Sequence, residues 1–332
     1  MKLQTWQKEL RGCIRSIDEL ARLIPIKNAA RLRQAVGKMR LSITPHTLKL
    51  INFNDPHDPL LLMSVPTEKE LTVMPNETAD PIGDDKKSPL PFLVHRYPDR
   101  ALVHVSYVCA QYCRFCFRRS KTGCANPGPS DKNRTDIVDY LVRHPKIEEA
   151  VLSGGDPLML NDAELAAWLK ALKTVKTLRR IRIHTRLPVT LPSRITPNLV
   201  ETLKRFQTKD FPIVIVTHFN HPREIAKQNV AAAARLVDAG IVVRNQSVLL
   251  KGVNDDAETL RELFCRLVDI RVHPYYLHQL DMACGTSHFR VPIERGLRIM
   301  DRLQGKTTGL ALPKYMLDDS KGTGKRQIHN RR

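Results

Sequence analysis

The sequence predicts an α/β protein whose strands form an open or partial (β/α) barrel. Two observations support this prediction: apolar segments of strand length recur along residues 101–278, and segments with helical periodicity separate them. Parallel strands need long crossover connections, usually helices, so this alternation is typical of a parallel sheet covered by helices. With 332 residues, the chain is long enough for one barrel-sized domain with additional segments.

The predicted strands are short and apolar, and the helices between them carry boundary signals. Asn161 is followed three residues later by Glu164, which is a capping-box pattern. Thr196 precedes Pro197 at the first position of another helix, and Gly240 can end a third helix in a left-handed conformation. The predicted strands are 101–106, 149–153, 180–185, 213–217, 241–249 and 272–278, and the helices with two predicted ends are 135–143, 222–239 and 257–270.

The residues before the barrel differ from it in pattern. Apolar residues recur at helical spacing within residues 4–50, so this part is predicted to be helical. Residues 64–91 are rich in proline, which indicates a wrapping segment or linker rather than a packed element. We therefore expect three parts, which are an N-terminal helical and wrapping segment at 1–90, the barrel at 91–305 and a C-terminal segment at 306–332.

The composition is strongly basic, since 54 Lys and Arg against 34 Asp and Glu give a formal net charge of +20. Such a charge can bind nucleic acid or another anionic partner. The basic residues are dispersed, however, so a solvated basic surface explains the charge at least as well, and nucleic-acid binding is not expected. Neither a secretory signal nor an apolar run of about 20 residues is visible, which predicts no membrane association. The seven cysteines are mostly dispersed, which indicates a reducing cytoplasm.

Three of the seven cysteines lie close together, directly after the first predicted strand. Cys109, Cys113 and Cys116 have C-x3-C-x2-C spacing, and Phe115 provides an apolar face beside the third. A cubane iron–sulfur cluster normally takes four thiolates, so three without an obvious fourth leave one iron open to a small molecule. A zinc knuckle would need a fourth Cys or His at regular spacing, and Cys124 is the only further cysteine nearby. We therefore favour a cluster over a zinc site or a chance grouping.

Polar motifs follow other strands, at the ends where catalytic groups of βα units usually lie. Gly154 and Gly155 would let the backbone approach a ligand, and Asp156 could accept a hydrogen bond from an ammonium group. A tight turn before a helix explains the same residues equally well. His218 and His221 form a His-x2-His pair, which is more often a pair of satisfied loop histidines than a metal site.

Three longer motifs resolve these alternatives by resemblance to a known family. They are HRYPDR at 95–100, PYYLHQLD at 274–281 and the glycine-rich segment at 315–325. Together with the cysteine motif they resemble the lysine 2,3-aminomutase family of radical S-adenosylmethionine enzymes, which implies a partial (β/α)6 radical SAM barrel. The helical segment from Trp6 to Leu23 and the short C-terminus resemble the branch that makes (R)-β-lysine for modification of elongation factor P.

The resemblance implies a role for each matching residue. Cys109, Cys113 and Cys116 would ligate a 4Fe–4S cluster, and S-adenosylmethionine would lie among Phe115, Gly154, Gly155, Asp156 and Gln246. Lys325 would form the Schiff base with pyridoxal phosphate, next to Arg96, Tyr97 and Arg100. Arg118 would bind the substrate carboxylate, and Asp281 and Asp318 would receive the distal ammonium. Without the family motif, Lys325 would be an ordinary lysine of a basic terminus, and Lys321 is a nearby alternative.

The implied activity is conversion of L-lysine to (R)-β-lysine by a radical 1,2-amino shift, with the cluster, S-adenosylmethionine and pyridoxal 5′-phosphate as cofactors. The implied partners are an electron donor such as flavodoxin or ferredoxin and, through the product, elongation factor P and its β-lysine ligase. A glutamate or arginine 2,3-aminomutase is the alternative within the class, and a basic cluster-containing protein that acts on RNA is the alternative outside it. Lysine-degrading members carry a zinc-binding cysteine where this chain has Asp256, so we expect no structural zinc.

Overall fold

The chain builds one curved sheet in which the strands lie in the same order as in the sequence. A computed structural model describes residues 3–123, 128–319 and 324–329. The strands are β1 (Leu93–Tyr97), β2 (Arg100–Ser106), β3 (Glu149–Gly154), β4 (Arg180–His184), β5 (Ile213–Thr217), β6 (Val242–Val248), β7 (His273–His278), β8 (Lys314–Asp319) and β9 (Gly324–Gln327).

The strand pairing confirms the predicted α/β class and partial barrel. Strands β2 to β8 run parallel to their neighbours, whereas β1 pairs antiparallel with β2 and β9 antiparallel with β8. The six predicted strands are β2 to β7, each within one residue of its predicted ends. The sequence does not predict β1, β8 and β9, because their charged and polar residues hide the apolar pattern; β9 reads Gly-Lys-Arg-Gln.

The apolar residues of the central strands lie in register and explain the layering. Val103, Leu152, Ile183, Ile215 and Val243 are consecutive partners across β2 to β6, and all are buried in the main core with the helices. Successive side chains of a strand point to opposite faces. The residues that alternate with these five along the strands therefore face the interior of the barrel.

The helices largely follow their predicted signals. They are α1 (Thr5–Arg11), α2 (Ile17–Leu20), α3 (Ala29–Lys38), α4 (Pro45–Leu50), α5 (Pro59–Ser64), α6 (Asp131–Arg143), α7 (Asp162–Lys173), α8 (Leu187–Thr190), α9 (Pro197–Phe206), α10 (Lys227–Asp238), α11 (Ala257–Asp269) and α12 (Ile293–Leu303). Asn161 and Thr196 cap α7 and α9 as expected. The helix predicted from residue 222 begins only at Lys227, because Pro222–Glu224 form a separate 3₁₀ turn. In the described part of the chain, no helix combines the length and apolarity needed to cross a membrane.

The N-terminal region is more divided, and more closely packed, than its sequence predicts. Its helical pattern over residues 4–50 breaks into α1 to α4. The segment at 64–91 is irregular as predicted, but it is not a loose linker, because Glu70, Glu77 and Asp84 are all buried. This segment therefore contributes to the interior of the protein.

The two edges of the sheet meet through side chains. Arg96 Nη1 on β1 donates to Asp318 Oδ1 on β8 at 2.6 Å. The backbone N–H of Lys325 on β9 donates to the Tyr97 hydroxyl on β1 at 2.8 Å. The sheet is therefore a nearly closed barrel, and the C-terminal segment supplies its last two strands.

Candidate active site

The barrel encloses a cavity of about 380 Å³. Its walls come from the carboxyl ends of the strands, the cysteine loop after β2, the wrapping segment and β9. Every site residue predicted from the sequence lines this cavity: Cys109, Cys113, Cys116, Phe115, Gly154, Gly155, Asp156, Gln246, Arg96, Tyr97, Arg100, Arg118, Asp281, Asp318 and Lys325. The fold thus brings together motifs that lie far apart in the chain.

A fully buried arginine anchors the cysteine loop. Arg114 donates from Nε and Nη2 to the two carboxylate oxygens of Glu70, at 2.9 and 2.6 Å. Its Nη1 donates to the backbone oxygens of Met39 and Arg40, at 3.1 and 2.9 Å. Glu70 also accepts from Arg119 Nη2 at 2.5 Å. Loss of one partner would leave an unpaired buried charge, so this triad fixes the loop firmly.

The three thiols line one part of the cavity and fit a cluster. Removal from bulk water raises the pKa of Cys109 well above its usual value and also raises that of Cys116. A positive charge lies beside the remaining thiol, since Arg186 Nη1 donates a hydrogen bond to Cys113 Sγ at 2.6 Å. Among the residues described, no three His, Cys, Asp or Glu side chains converge on a single ion. A cubane cluster binds its thiolates through separate irons, so it does not need such convergence. Cys124 lies outside the described residues.

Phe115 forms a fixed wall beside the third cysteine. Its ring packs edge-on against His218 and Phe289, with ring centres 5.7 and 6.2 Å apart. The Arg186 guanidinium lies 5.4 Å from the ring centre. The apolar face predicted at this position is therefore held from several sides.

The two glycines at the end of β3, Gly154 and Gly155, allow the backbone to pass close to the loop that follows β2. Gly154 has a φ of +112°, and a Cβ there would lie 2.2 Å from the carbonyl oxygen of Ser106. A Cβ on Gly155 would lie 2.5 Å from the carbonyl oxygen of Val108. Any larger residue would push the turn away from the cysteine loop. The requirement for a tight turn therefore explains why both positions are glycine, and both glycines also line the cavity.

Asp156 is engaged by the protein itself. Its Oδ1 accepts from Thr185 Oγ1, and its Oδ2 accepts from the backbone N–H of Arg186, both at 2.7 Å. The Leu158 N–H adds a third hydrogen bond at 3.1 Å. The carboxylate therefore fixes the turn after β4 and holds Arg186 beside the cysteines.

Gln246 lies between two histidines that also line the cavity. Its Nε2 is 3.4 Å from His184 Nδ1, and its Oε1 is 3.4 Å from His278 Nε2. Removal from bulk water, together with nearby cations, lowers the pKa of both histidines well below the usual value. Burial therefore favours the neutral form of both rings, and His184 Nε2 has no partner among the described residues. The side chains of His184, Gln246 and His278 can therefore form hydrogen bonds with an uncharged part of a ligand.

The two loop histidines after β5 do not share a site. His218 lines the cavity, and burial together with Arg186 lowers its pKa to about 3. His221 instead accepts from the backbone N–H of Arg223 at 3.2 Å and caps the following 3₁₀ turn. The more common interpretation, a satisfied loop histidine, thus applies to His221, whereas His218 belongs to the cavity wall.

Lys325 enters the cavity from β9. The preceding Gly324 has a φ of +79°, and a Cβ there would lie 2.5 Å from the Tyr97 ring, so glycine allows this close packing. The amine of Lys325 lies 5.6 Å from the centre of the Tyr276 ring. Burial lowers the pKa of Lys325, although two nearby carboxylates oppose the shift. A lysine with a lowered pKa suits imine formation. The alternative Lys321 lies outside the described residues.

Aromatic rings and cations surround this amine. The Arg100 guanidinium lies 3.8 Å from the centre of the Tyr97 ring. The Tyr275 and Tyr276 rings stack, with centres 3.7 Å apart and hydroxyls in a 2.7 Å hydrogen bond. Flat aromatic faces beside guanidinium groups and a reactive amine fit an anionic aromatic cofactor such as pyridoxal phosphate.

A chain of ion pairs crosses the cavity wall. Arg96 donates to Asp318 at 2.6 Å and to Asp84 at 2.8 Å. The other oxygen of Asp84 accepts from Arg118 Nη2 at 3.2 Å. Asp281 lines the same region, and its burial, together with the charge of Asp318, raises its pKa to about 7. The predicted substrate-binding groups thus lie together, with two carboxylates facing the cavity from β8 and from the loop after β7.

Three charged or polar residues of this wall, Arg186, His184 and Asp84, are among those that the sequence analysis does not single out. Arg186 and His184 lie at the carboxyl end of β4, where catalytic groups of βα units are expected, so their position in the chain is a usable signal. Asp84 has no such signal, because it lies in the proline-rich segment that predicts no packed structure.

Comparison with known proteins gives a consistent result. The sequence model of the Radical SAM superfamily matches residues 103–264. The L-lysine 2,3-aminomutase of Clostridium subterminale is 39% identical over 97% of this chain and 77% of that protein. The L-lysine 2,3-aminomutase of Escherichia coli is 37% identical over 94% of this chain and 90% of that protein. The glutamate 2,3-aminomutase of Clostridioides difficile is 37% identical over 96% of this chain and 75% of that protein.

Proposed function

Because the chain belongs to the lysine 2,3-aminomutase family of radical S-adenosylmethionine enzymes, we propose that it converts L-lysine to (R)-β-lysine by a radical 1,2-amino shift. One observation carries the proposal: a single cavity is lined by three thiols, by the amine of Lys325 and by the carboxylates of Asp281 and Asp318. It therefore offers cluster ligands, an imine-forming amine and acceptors for the distal ammonium of lysine.

The cofactor assignments follow the cavity wall. The cluster would be held by Cys109, Cys113 and Cys116; S-adenosylmethionine by Gln246 and the turn at 154–156, beside Phe115; and pyridoxal phosphate by Lys325, Arg96, Tyr97 and Arg100. When bound, these groups supply one-electron cleavage chemistry, hydrogen abstraction and covalent attachment of the substrate amine. The protein supplies orientation, and its enclosed barrel limits access of water.

Charge selects the substrate in this proposal. Arg118 would bind the α-carboxylate, since a guanidinium fork suits bidentate recognition of a carboxylate. Asp281 and Asp318 would receive the distal ammonium, and their negative charges would repel the side chain of glutamate. A pKa of about 7 allows Asp281 to ionise as a cation arrives.

Glutamate and arginine 2,3-aminomutase activities are the alternatives. A glutamate 2,3-aminomutase is 37% identical to this chain, close to the identity of the lysine relatives, so identity alone does not decide the substrate. The two acids argue against glutamate but would accept the guanidinium of arginine as well as an ammonium. Product analysis with all three amino acids is therefore the direct comparison.

The biological setting is part of the proposal. A cytoplasmic flavodoxin or ferredoxin would reduce the cluster, and the product would be used by a ligase that modifies elongation factor P. This step rests only on the resemblance to that branch of the family. A shift in the mass of elongation factor P when the gene for this chain is deleted would test it.

The activity itself is tested by anaerobic incubation of the reconstituted protein with S-adenosylmethionine, pyridoxal phosphate, a strong reductant and one amino acid. We expect L-lysine to give β-lysine, of R configuration by chiral analysis, and L-glutamate to remain unchanged. Glutamate turnover comparable to that of lysine would contradict the substrate assignment. An RNA-directed enzyme, the alternative from another class, would show no absorbance from bound pyridoxal phosphate.

A further inference from the structure

Asp84 joins the two arginines to which different ligands are assigned. Its Oδ1 accepts from Arg96 Nη2 at 2.8 Å, and its Oδ2 accepts from Arg118 Nη2 at 3.2 Å. The Asp84 side chain is 7% exposed, and those of the two arginines are 5% and 12% exposed. Charge-assisted hydrogen bonds of this kind are strong and constrain the orientation of a guanidinium.

The segment around Asp84 holds this carboxylate in place. Asp80 accepts from the backbone N–H groups of Asp84 and Asp85, each at 2.9 Å. Ser88 Oγ donates to the carbonyl oxygen of Asp84 at 2.8 Å. Gly83, with a φ of +69°, adopts the left-handed conformation that the turn requires. The carboxylate is therefore presented to the arginines from a well-bonded turn.

We propose that Asp84 is a positioning residue that fixes the guanidinium groups of Arg96 and Arg118, so that the first meets pyridoxal phosphate and the second meets the substrate carboxylate. The inference rests on the proposed function, which assigns these ligands to the two arginines. In this proposal Asp84 acts through the two arginines, to which it is hydrogen-bonded. Its charge also offsets one of two neighbouring cations, while Asp318 holds Arg96 from the other side.

A carboxylate on Arg118 could instead occupy the place of the substrate carboxylate. The remaining donors of Arg118 argue against this explanation. Its Nη1 meets Ser153 Oγ at 3.3 Å, and its Nε has no partner among the described residues. Because a guanidinium carries five N–H donors, Arg118 can bind an incoming carboxylate while Asp84 stays attached.

The test compares Asp84→Asn and Asp84→Glu with Asp85→Asn in the full-length protein with its cluster loaded. Asp85 is a matched control, because it is the neighbouring acid but its side chain is 62% exposed and pairs with Lys121. One readout is the apparent Kd for pyridoxal phosphate, from the absorbance of cofactor-depleted protein titrated with the cofactor. The other is the KM and kcat for L-lysine.

In Asp84→Asn we expect both the Kd for pyridoxal phosphate and the KM for lysine to rise roughly 10- to 100-fold, since each arginine loses a charged hydrogen-bond partner. The kcat should fall less, and the iron content should not change. Asp84→Glu should recover part of both affinities, and it also provides the measurement if Asp84→Asn fails to fold. Asp85→Asn should stay within about twofold of the unmodified protein, as expected for an exposed ion pair.

The outcomes separate this inference from the proposed function. If the unmodified protein binds pyridoxal phosphate and turns over lysine, an unchanged Kd and KM in Asp84→Asn would overturn the positioning role alone. A lower KM in that variant would show that Asp84 competes with the substrate carboxylate, which overturns it too. An unmodified protein without pyridoxal phosphate binding and lysine turnover would overturn the proposed function, and this inference with it.

Discussion

The two ends of the cavity are built in opposite ways. At the cysteine end, Cys109, Cys113, Cys116 and Phe115 come from one short loop, which a buried Arg114–Glu70 pair anchors. At the lysine end, the groups come from β1, β9 and the elements between them, and the Arg96–Asp318 pair joins residues 222 positions apart. The first end is encoded locally, whereas the second exists only when the last strands close the barrel.

This difference predicts that the two ends can be disabled separately. A change in the cysteine loop should remove the cluster without disturbing the strand edges that carry Lys325. A change at the lysine end should remove pyridoxal phosphate while the loop keeps its cluster. The substitutions below are ordered by the size of the effect that we expect.

The largest effect is expected for the three cysteines. Replacing any one of Cys109, Cys113 or Cys116 by Ala should abolish iron loading after anaerobic reconstitution and cleavage of S-adenosylmethionine, because a cubane cannot spare one of only three protein thiolates. Iron content and formation of 5′-deoxyadenosine measure both effects. Cys265→Ala, on α11 away from the cavity lining, is the matched control and should load iron normally. Normal iron loading in Cys109→Ala would contradict the assignment of Cys109 as a cluster ligand.

Lys325→Ala should abolish lysine turnover but leave iron content unchanged. Borohydride reduction of the unmodified protein, followed by peptide mapping, should place the phosphopyridoxyl group on Lys325, because its lowered pKa favours a nucleophilic amine. Lys314→Ala, an exposed position on β8, is the control and should keep both the label and the activity. A label on Lys321 would show that the correspondence with the family motif is misplaced.

Predictability from sequence follows the same division. Strands β2 to β7 are predictable because each carries apolar residues over a strand-length segment and alternates with helical segments, and the cysteine end is predictable because its ligands lie within eight residues of one another. Strand β9 is not, because Gly-Lys-Arg-Gln has no apolar pattern and its place depends on contacts with distant parts of the chain, namely pairing with β8 and a hydrogen bond to Tyr97 on β1. Only the family motif marks Lys325 in the sequence, and nothing marks Asp84, whose ion pairs with Arg96 and Arg118 become visible only in the folded structure.

The next largest effect is expected for substitutions of Asp281 and Asp318, which should lower the kcat/KM for L-lysine. Removing one partner of a buried charge pair costs on the order of 3–5 kcal/mol, so Asp281→Ala should lose at least roughly 100-fold in kcat/KM for L-lysine. Asp318→Ala should also be impaired, because it removes a carboxylate that Arg96 binds at 2.6 Å. Cleavage of S-adenosylmethionine in the absence of lysine should persist in both variants. Unchanged lysine kinetics in Asp281→Ala would contradict the ammonium site.

The pKa of Asp281 gives a smaller, pH-dependent effect. Burial raises it from the ordinary 3.8 to about 7, so the folded protein binds more protons than the unfolded chain between these values. Stability therefore falls as the pH rises through this window. Asp281→Asn removes the ionisable group and should raise the Tm more at about pH 8 than at about pH 4. An equal shift at both pH values would mean that this carboxyl is not perturbed in the folded protein.

The smallest effect is expected away from both ends, at Asp256, which does not line the cavity. Asp256 Oδ1 accepts from the backbone N–H of Thr259 at 2.9 Å and caps α11. Asp256→Ala should therefore lower the free energy of unfolding by about 0.5–2 kcal/mol. The control is Asp269→Ala, at the exposed position near the other end of α11. This substitution should not destabilise the protein, because a negative charge is unfavourable near a helix C-terminus. Since the cap accounts for Asp256 without a metal, we also expect purified protein to lack zinc. Near one zinc per chain that survives mild chelation would contradict this, and its loss in Asp256→Ala would assign Asp256 to the metal instead of to the helix.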